Sequence, residues 1–318
     1  MATTTTTERV RLAISIPQLD TAGFDATAVR NYLSRAEQAG FESGWVLEQV
    51  VGPTPFLAPL ELLAWSAAVT ERLRLGVGVL VSSLHDPLQL AASITAVDRL
   101  SHGRLDVGVA PGGGFRAFRS FGVNPETFVA SFTEGLQLMK MAWSDAPTVT
   151  FQGRFRQVEQ LPIQPKPVQR PHPPIWFGAN APRAIARAVR HGDAFLGAGS
   201  TSTANFAKQI ATLRGELERQ GRDPATFPIA KRVYLMVDDD AARARSRVLS
   251  GLRRIYGTSV PGIEDVPVAG TPHDVVDGLR AVRKAGAEML LLNPVGADVS
   301  EDREQLERLI ADVIPQLE

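Results

Sequence analysis

The chain of 318 residues contains no cysteine, which excludes disulfide frameworks, thiolate metal sites, iron–sulfur clusters and cysteine nucleophiles together. Histidine is scarce. His85, His102, His172, His191 and His273 show neither His-x-x-x-His nor His-Glu-x-x-His spacing, so no helical pair of metal ligands is offered and no metal is expected. An excess of one charge is also missing: Lys+Arg 34 balance Asp+Glu 34, and no stretch gathers the basic residues. A nucleic-acid partner is therefore not expected. The longest apolar run, residues 55–69, is interrupted by Glu61 and falls short of the ~20 residues a membrane-spanning helix needs. The threonine-rich start, residues 1–10, has neither the basic head nor the apolar run of a secretion signal, and a cytoplasmic protein is expected.

What the chain does have is alternation. Residues 10–16 read as a buried strand and 27–39 as an amphipathic helix closed by Gly40. The pattern continues with 43–47 and 55–70, with 73–79 and 88–100, and with 105–109 and 125–143. It breaks at residues 149–173, where Phe151-Gln-Gly-Arg-Phe155 reads as a short hairpin and Pro162, Pro165, Pro167, Pro171 and Pro173 follow. Proline at that density suits neither helix nor central strand, so this is an insertion after the fourth unit, expected over the mouth of the fold. Alternation resumes with 175–177 and 182–190, 194–196 and 203–219, and 229–237 and 241–255. A loop over 257–270, a helix over 273–285, a strand over 289–292 and a helix over 301–317 complete it.

Eight apolar strands each followed by a helix imply a parallel sheet covered on both faces, closed as an α/β (β/α)8 TIM barrel in a single domain. The rival is an open doubly wound sheet. It wants a glycine fingerprint after the first strand, where Ser15-Ile-Pro-Gln18 stands instead.

In a barrel the chemistry sits at the C-terminal strand ends. Strand two ends in Glu48-Gln49, a proton carrier beside a hydrogen-bonding amide, or else a brace between loops. Strand four ends in Pro111-Gly112-Gly113-Gly114, whose backbone N–H groups suit an anion or a flat ring, as a flexible loop would also explain. Arg116 and Arg119 follow. Strand five ends in Gly178-Ala179-Asn180 before a helix start at Pro182, an anion site or simply a tight turn. Of the histidines only His85 falls on this face; His102 belongs at the barrel bottom and His191 at a helix C-terminus.

Four segments carry a resemblance. They are Ala39-Gly-Phe-Glu-Ser-Gly-Trp45; Asp86-Pro-Leu-Gln-Leu-Ala91 running on to Val97-Asp-Arg-Leu-Ser-His-Gly-Arg104; Pro165-Lys-Pro-Val-Gln-Arg-Pro-His-Pro-Pro-Ile-Trp-Phe-Gly178; and Ala188-Val-Arg-His-Gly-Asp-Ala194. Through them nearly the whole chain resembles the bacterial luciferase-like flavin- or F420-dependent oxidoreductases. The resemblance implies a reduced FMN or the deazaflavin coenzyme F420 with its ring in the barrel mouth, held by Trp45, Val79, Leu80, Pro111, Gly112, Gly113, Gly114, Gly178, Ala179 and Asn180, with Glu48 and Gln49 as catalytic candidates. It also implies a small organic substrate, either hydride transfer or oxygen insertion, a homo-oligomer, and a separate flavin reductase or F420-reducing dehydrogenase as partner. Many relatives pair the strand-two carboxylate with a following His, where this chain has Gln49. Pro111 replaces an Arg of the FMN-phosphate binders and looks like some deazaflavin reductases, so F420 is favoured.

Overall fold

The computed structural model describes residues 10–19, 23–49, 51–52, 54–112, 118–257 and 261–317. The first half runs β1 (Arg11–Ser15), α1 (Ala26–Gln38), β2 (Ser43–Val46), α2 (Pro59–Val69), β3 (Arg74–Val81), α3 (Pro87–Leu100), β4 (Leu105–Ala110) and α4 (Phe128–Trp143). A hairpin follows, β5 (Thr148–Gln152) and β6 (Gln157–Pro162). The second half runs β7 (Ile175–Gly178), α5 (Pro182–His191), β8 (Ala194–Gly197), α6 (Thr203–Arg219), β9 (Ile229–Val237), α7 (Ala241–Tyr256), β10 (Val268–Gly270), α8 (Pro272–Lys284), β11 (Met289–Pro294) and α9 (Val299–Arg308). Strands β9, β11, β1, β2, β3, β4, β7 and β8 lie side by side and parallel, and β8 pairs back onto β9. The barrel is closed, with eight strands, as expected.

Helix starts follow local chemistry. Asp86 caps α3 by accepting from the N–H groups of Leu88 and Gln89, with Pro87 in the first turn. Thr271 and Asp274 form a reciprocal capping box on α8. Helix α2 begins at Pro59 and not at residue 55, because the residue before a proline disfavours helical backbone and Ala58 is extended; Phe56 instead bridges to Leu19. Among the described residues no helix is long and apolar enough to cross a membrane.

Alternation along the strands separates two layers of core. Leu75, Val77, Val107, Val109, Ile175 and Phe177 point outward and pack under the helices, while Ala13, Trp45, Trp176, Ala194, Leu196 and Leu291 fill the barrel interior. The indoles of Trp45 and Trp176 meet edge to face, with centroids 5.6 Å apart. Their bulk is matched by glycine: a Cβ on Gly76 would lie 2.2 Å from the Trp45 ring. Higher in β3 the register against β4 shifts between Val77 and Leu80, around a cis Gly78–Val79 peptide, and both Gly78 and Val79 face the interior.

Residues 149–173 depart from the expectation of a cover over the mouth. An insertion between a helix and the next strand must leave from and return to the N-terminal end of the barrel, and the proline-rich half lies there. Lys166 Nζ donates to the Ala142 carbonyl at the end of α4, the backbone N–H groups of Val168 and Gln169 donate to Asp98 at the end of α3, and Gln169 Nε2 donates to the Leu105 carbonyl at the start of β4. Only the hairpin tip climbs. Its residues Arg154, Phe155 and Arg156 donate backbone N–H bonds to Glu134 on α4, and Arg156 lines a small cleft beside Ser83 and His85.

The seventh unit also differs. Helix α8, not α7, packs on the outer face of the barrel, through Val275, Val276, Leu279 and Val282. Helix α7 lies over the C-terminal ends of β9 and β11, where Ala244, Val248 and Leu252 cover Met236 and Val295. Part of the expected 257–270 loop is the short strand β10, added beside β9. The last helix ends at Arg308 and continues as a wide turn through Leu309–Val313 and a tight one through Ile314–Gln316, which contains Pro315.

Candidate active site

The exit of β2 is clamped from below. Gln18 donates through Nε2 to the carbonyls of Leu47 (2.8 Å) and Leu57 (2.6 Å) and accepts from the Leu47 N–H, so the backbone before Glu48 is held by two bonds and tied to Leu57 by a third. The Glu48 side chain is 3% exposed and bonded at both oxygens: Oε2 accepts from the Val81 N–H at the end of β3, and Oε1 lies 2.7 Å from His85 Nε2. The bond to Glu48 raises the His85 imidazole above its ordinary value, against the opposing effect of burial. The mouth thus holds a carboxylate–imidazole pair, Glu48 with His85, and Gln49 is not part of it. Sequence reasoning put His85 on the right face and did not join it to Glu48.

Beside this pair opens a cavity of about 410 Å³. One side carries Glu48, Gln49 and Val51 with Val79 and Val81; the opposite side is Gly178 and the run Gly197-Ala198-Gly199 at the end of β8. Four cavity positions are glycines, so the wall there is largely backbone, suited to a flat ligand. The floor and far wall come from β9 and α7: Arg232, Tyr234, Ile255 and Tyr256. The Tyr234 and Tyr256 hydroxyls are 2.7 Å apart.

None of the β9 residues was singled out from sequence, and the signal was present: Lys231-Arg232 are adjacent cations inside an otherwise apolar strand. Alternation sends them to opposite faces. Arg232 points into the barrel, and Lys231 points outward, where Nζ donates to the carbonyls of Ala198 (2.7 Å) and Arg232 (2.6 Å) and fastens the glycine run. Burial, reinforced by the neighbouring Arg232 charge, pushes the Lys231 ammonium down to about 7. The unfolded chain then binds more protons than the native one between about pH 7 and 10.5, and stability rises with pH across that window. Urea unfolding at pH 7 and pH 9 is expected to show the parent gaining about 2 kcal/mol relative to Lys231→Met. Parallel pH profiles for the two proteins would contradict the neutral buried amine.

The other expected positions are distributed as follows. Gly178 and Val79 line the cavity. Trp45 is fully buried beneath it, its Nε1 donating to Ser43 Oγ (2.8 Å), and a Cβ on Gly78 would lie 3.2 Å from its ring. The Leu80 side chain packs in the outer core, away from the mouth, because the register shift turns Val79 inward in its place. Pro111 accepts from Ser83 Oγ through its carbonyl, and Gly112, at φ +79°, backs onto Val81 and Phe118. Ala179 is core. Asn180 is exposed and accepts from Gln209 on α6. Gly113, Gly114 and Arg116 lie outside the described residues.

The sequence profile of the luciferase-like monooxygenases matches residues 10–266. An uncharacterized protein of Sinorhizobium fredii is 34% identical over 231 residues, which cover 70% of this chain and 65% of that protein, so the match spans slightly less than two thirds of the relative. An F420-dependent glucose-6-phosphate dehydrogenase of Kineococcus radiotolerans is 26% identical over 317 residues, covering 90% of this chain and 92% of that one. Among solved structures, a monooxygenase from Streptomyces bottropensis superposes with a TM-score of 0.82 at 21% identity, over 97% of this chain and 100% of that chain, a likeness of fold. With the closed barrel and the extent of the profile match, these findings identify the chain as a member of the luciferase-like monooxygenase family, a family of F420- or flavin-dependent oxidoreductases.

Proposed function

We propose that this protein is an oxidoreductase that uses the deazaflavin coenzyme F420 to move a hydride to or from a small organic substrate in the barrel mouth. The observation that carries the reading is the cavity of about 410 Å³, with a glycine wall facing Glu48, whose carboxylate is bonded to His85 behind it. A wall without side chains accepts a planar ring against it, and Glu48 opposite, with His85 bonded to it, supplies the titrating couple that hydride transfer to a carbonyl or from an alcohol requires. The relative matched over 90% of the chain is named for the same coenzyme. The residues fit such a group: Val79 and Gly178 line the cavity and would hold the ring, with Trp45 buried beneath Gly78. When bound, the coenzyme supplies a ring carbon that gives or takes the hydride.

The protein's own part is proton handling and exclusion of water. Glu48 fixes the His85 ring through Nε2 and favours its protonated state, so that a proton is held between His85 and the carboxylate that lines the cavity, while the Gln18 clamp holds the backbone leading to Glu48. Gln49 contributes a neutral hydrogen-bonding head. A separate F420-reducing dehydrogenase is the partner this chemistry needs.

The test is a titration of the purified protein with oxidised and reduced F420, FMN and FMNH2, followed by fluorescence quenching. F420 is expected to bind at least tenfold more tightly than FMN, about 1.4 kcal/mol. Tighter binding of FMNH2 with oxygen-dependent turnover would replace this reading with that of a monooxygenase served by a flavin reductase. Failure of all four to bind would make the protein a barrel without redox function.

A further inference from the structure

The Arg232 guanidinium is out of place by ordinary rules for buried charge. The residue is 5% exposed, yet among the described residues it meets no carboxylate; its one hydrogen bond is from Nη2 to the Val46 carbonyl at 3.3 Å, and Nε is enclosed with no partner. A buried cation without a counter-ion is strongly disfavoured unless something completes it. Glu48, on the same cavity, is already engaged by Val81 and His85. The Arg232 side chain lies between two cavity glycines: a Cβ on Gly78 would come within 3.2 Å of Nη2, and one on Gly199 within 3.0 Å of Cδ. The bonded hydroxyls of Tyr234 and Tyr256 stand on the same wall.

We propose that Arg232, assisted by the Tyr256 hydroxyl, is the anchor for a carboxylate group of the substrate, so that the protein acts on small organic acids. A guanidinium presents its donors in a plane that matches two carboxylate oxygens, and in a water-poor pocket that pairing is strong and directional. The carboxylate supplies the missing counter-charge, and the glycines at 78 and 199 let the Arg232 side chain lie directly against backbone at the cavity wall. Fixing one end of the substrate at β9 directs its other end toward Glu48 across the cavity. This deepens the proposed function and rests on the cavity being the active site.

The experiment uses the protein without added coenzyme and two probes of one shape, benzoate and the neutral benzamide. Binding is read by calorimetry and by the fluorescence of Trp45, which is buried beneath the cavity residue Gly78. Benzoate is expected to bind at least 30-fold more tightly than benzamide. Arg232→Met should abolish that preference, Arg232→Lys should keep part of it, and Tyr256→Phe should cost a few-fold. Circular dichroism checks folding, and the benzoate-to-benzamide ratio in the parent decides the matter even if Arg232→Met fails to fold. Equal binding of the two probes, absence of benzoate binding, or an unchanged ratio in folded Arg232→Met would each overturn the proposal. So would an Arg232→Met protein that keeps benzoate and loses F420 or FMN affinity, since the guanidinium would then serve the coenzyme. Because no coenzyme is present in the benzoate titration, its result is independent of whether F420 or FMN is the redox partner.

Discussion

Glu48→Gln is expected to lower turnover by roughly 10²-fold or more while coenzyme affinity stays within a few-fold. The amide keeps the shape of the side chain, but it cannot hold His85 in its charged form. The variant has a second readout independent of catalysis. In the parent the bond from His85 to the Glu48 carboxylate raises the imidazole above its ordinary value of ~6.5; in Glu48→Gln that support is gone and the ring, titrated by NMR, should move down. The sign for stability follows. A histidine whose folded value is raised contributes stability that is fully present below the unfolded value of ~6.5 and is lost as pH rises through the folded one. The parent should therefore lose stability on going from pH 6 to 8 relative to the variant. Unchanged turnover in a folded Glu48→Gln protein would remove the pair from the reaction and leave Glu48 as a brace for the end of β3 through Val81.

Asp98→Ala should be the most damaging single substitution away from the mouth. Asp98 is completely buried at the end of α3, and it accepts three bonds from the proline-rich segment: from the Val168 N–H at 2.6 Å, the Gln169 N–H at 3.1 Å and Gln169 Nε2 at 2.8 Å. That segment has no helix or sheet to satisfy its own backbone, so this carboxylate replaces the missing ladder. Removing it strands the Val168 and Gln169 backbone donors, while Gln169 Nε2 keeps the Leu105 carbonyl, at ~1–3 kcal/mol for each stranded group, and about 4 kcal/mol is expected in total. For a chain of this size the melting temperature should fall on the order of 10 °C. Asp98→Asn, which keeps one acceptor, should cost roughly half as much. Hydrogen exchange should quicken first at 168 and 169, at the closed end of the barrel. A loss below about 1 kcal/mol with exchange unchanged there would show that the segment is held by Lys166 and the prolines alone.

The barrel itself was legible because its causes are local. Apolar strands such as residues 105–109 and 229–237, stops such as Gly40, and the Asp86-Pro87 helix start act within a few residues, and eight repeats of that pattern imply closure. The place of Glu48 at the mouth followed from the same reading, since a residue just after a barrel strand sits at its C-terminal end. Local pattern also misled: residues 241–255 have good helical periodicity, but only the tertiary structure assigns the outer face of the barrel to α8 and lays α7 across the mouth, bringing Tyr256 to Tyr234. The proline-rich segment was recognised as irregular, and its place at the barrel bottom required the rule that a helix-to-strand connection stays at that end. The polar core of the site was decided by folding alone. His85 reaches Glu48 across 37 residues and Arg232 reaches the Val46 carbonyl across 186, because barrel closure sets which strand ends face one another. Hydrophobic period determines that β9 is a strand; the burial of Arg232 without a counter-charge exists only once the other seven strands surround it.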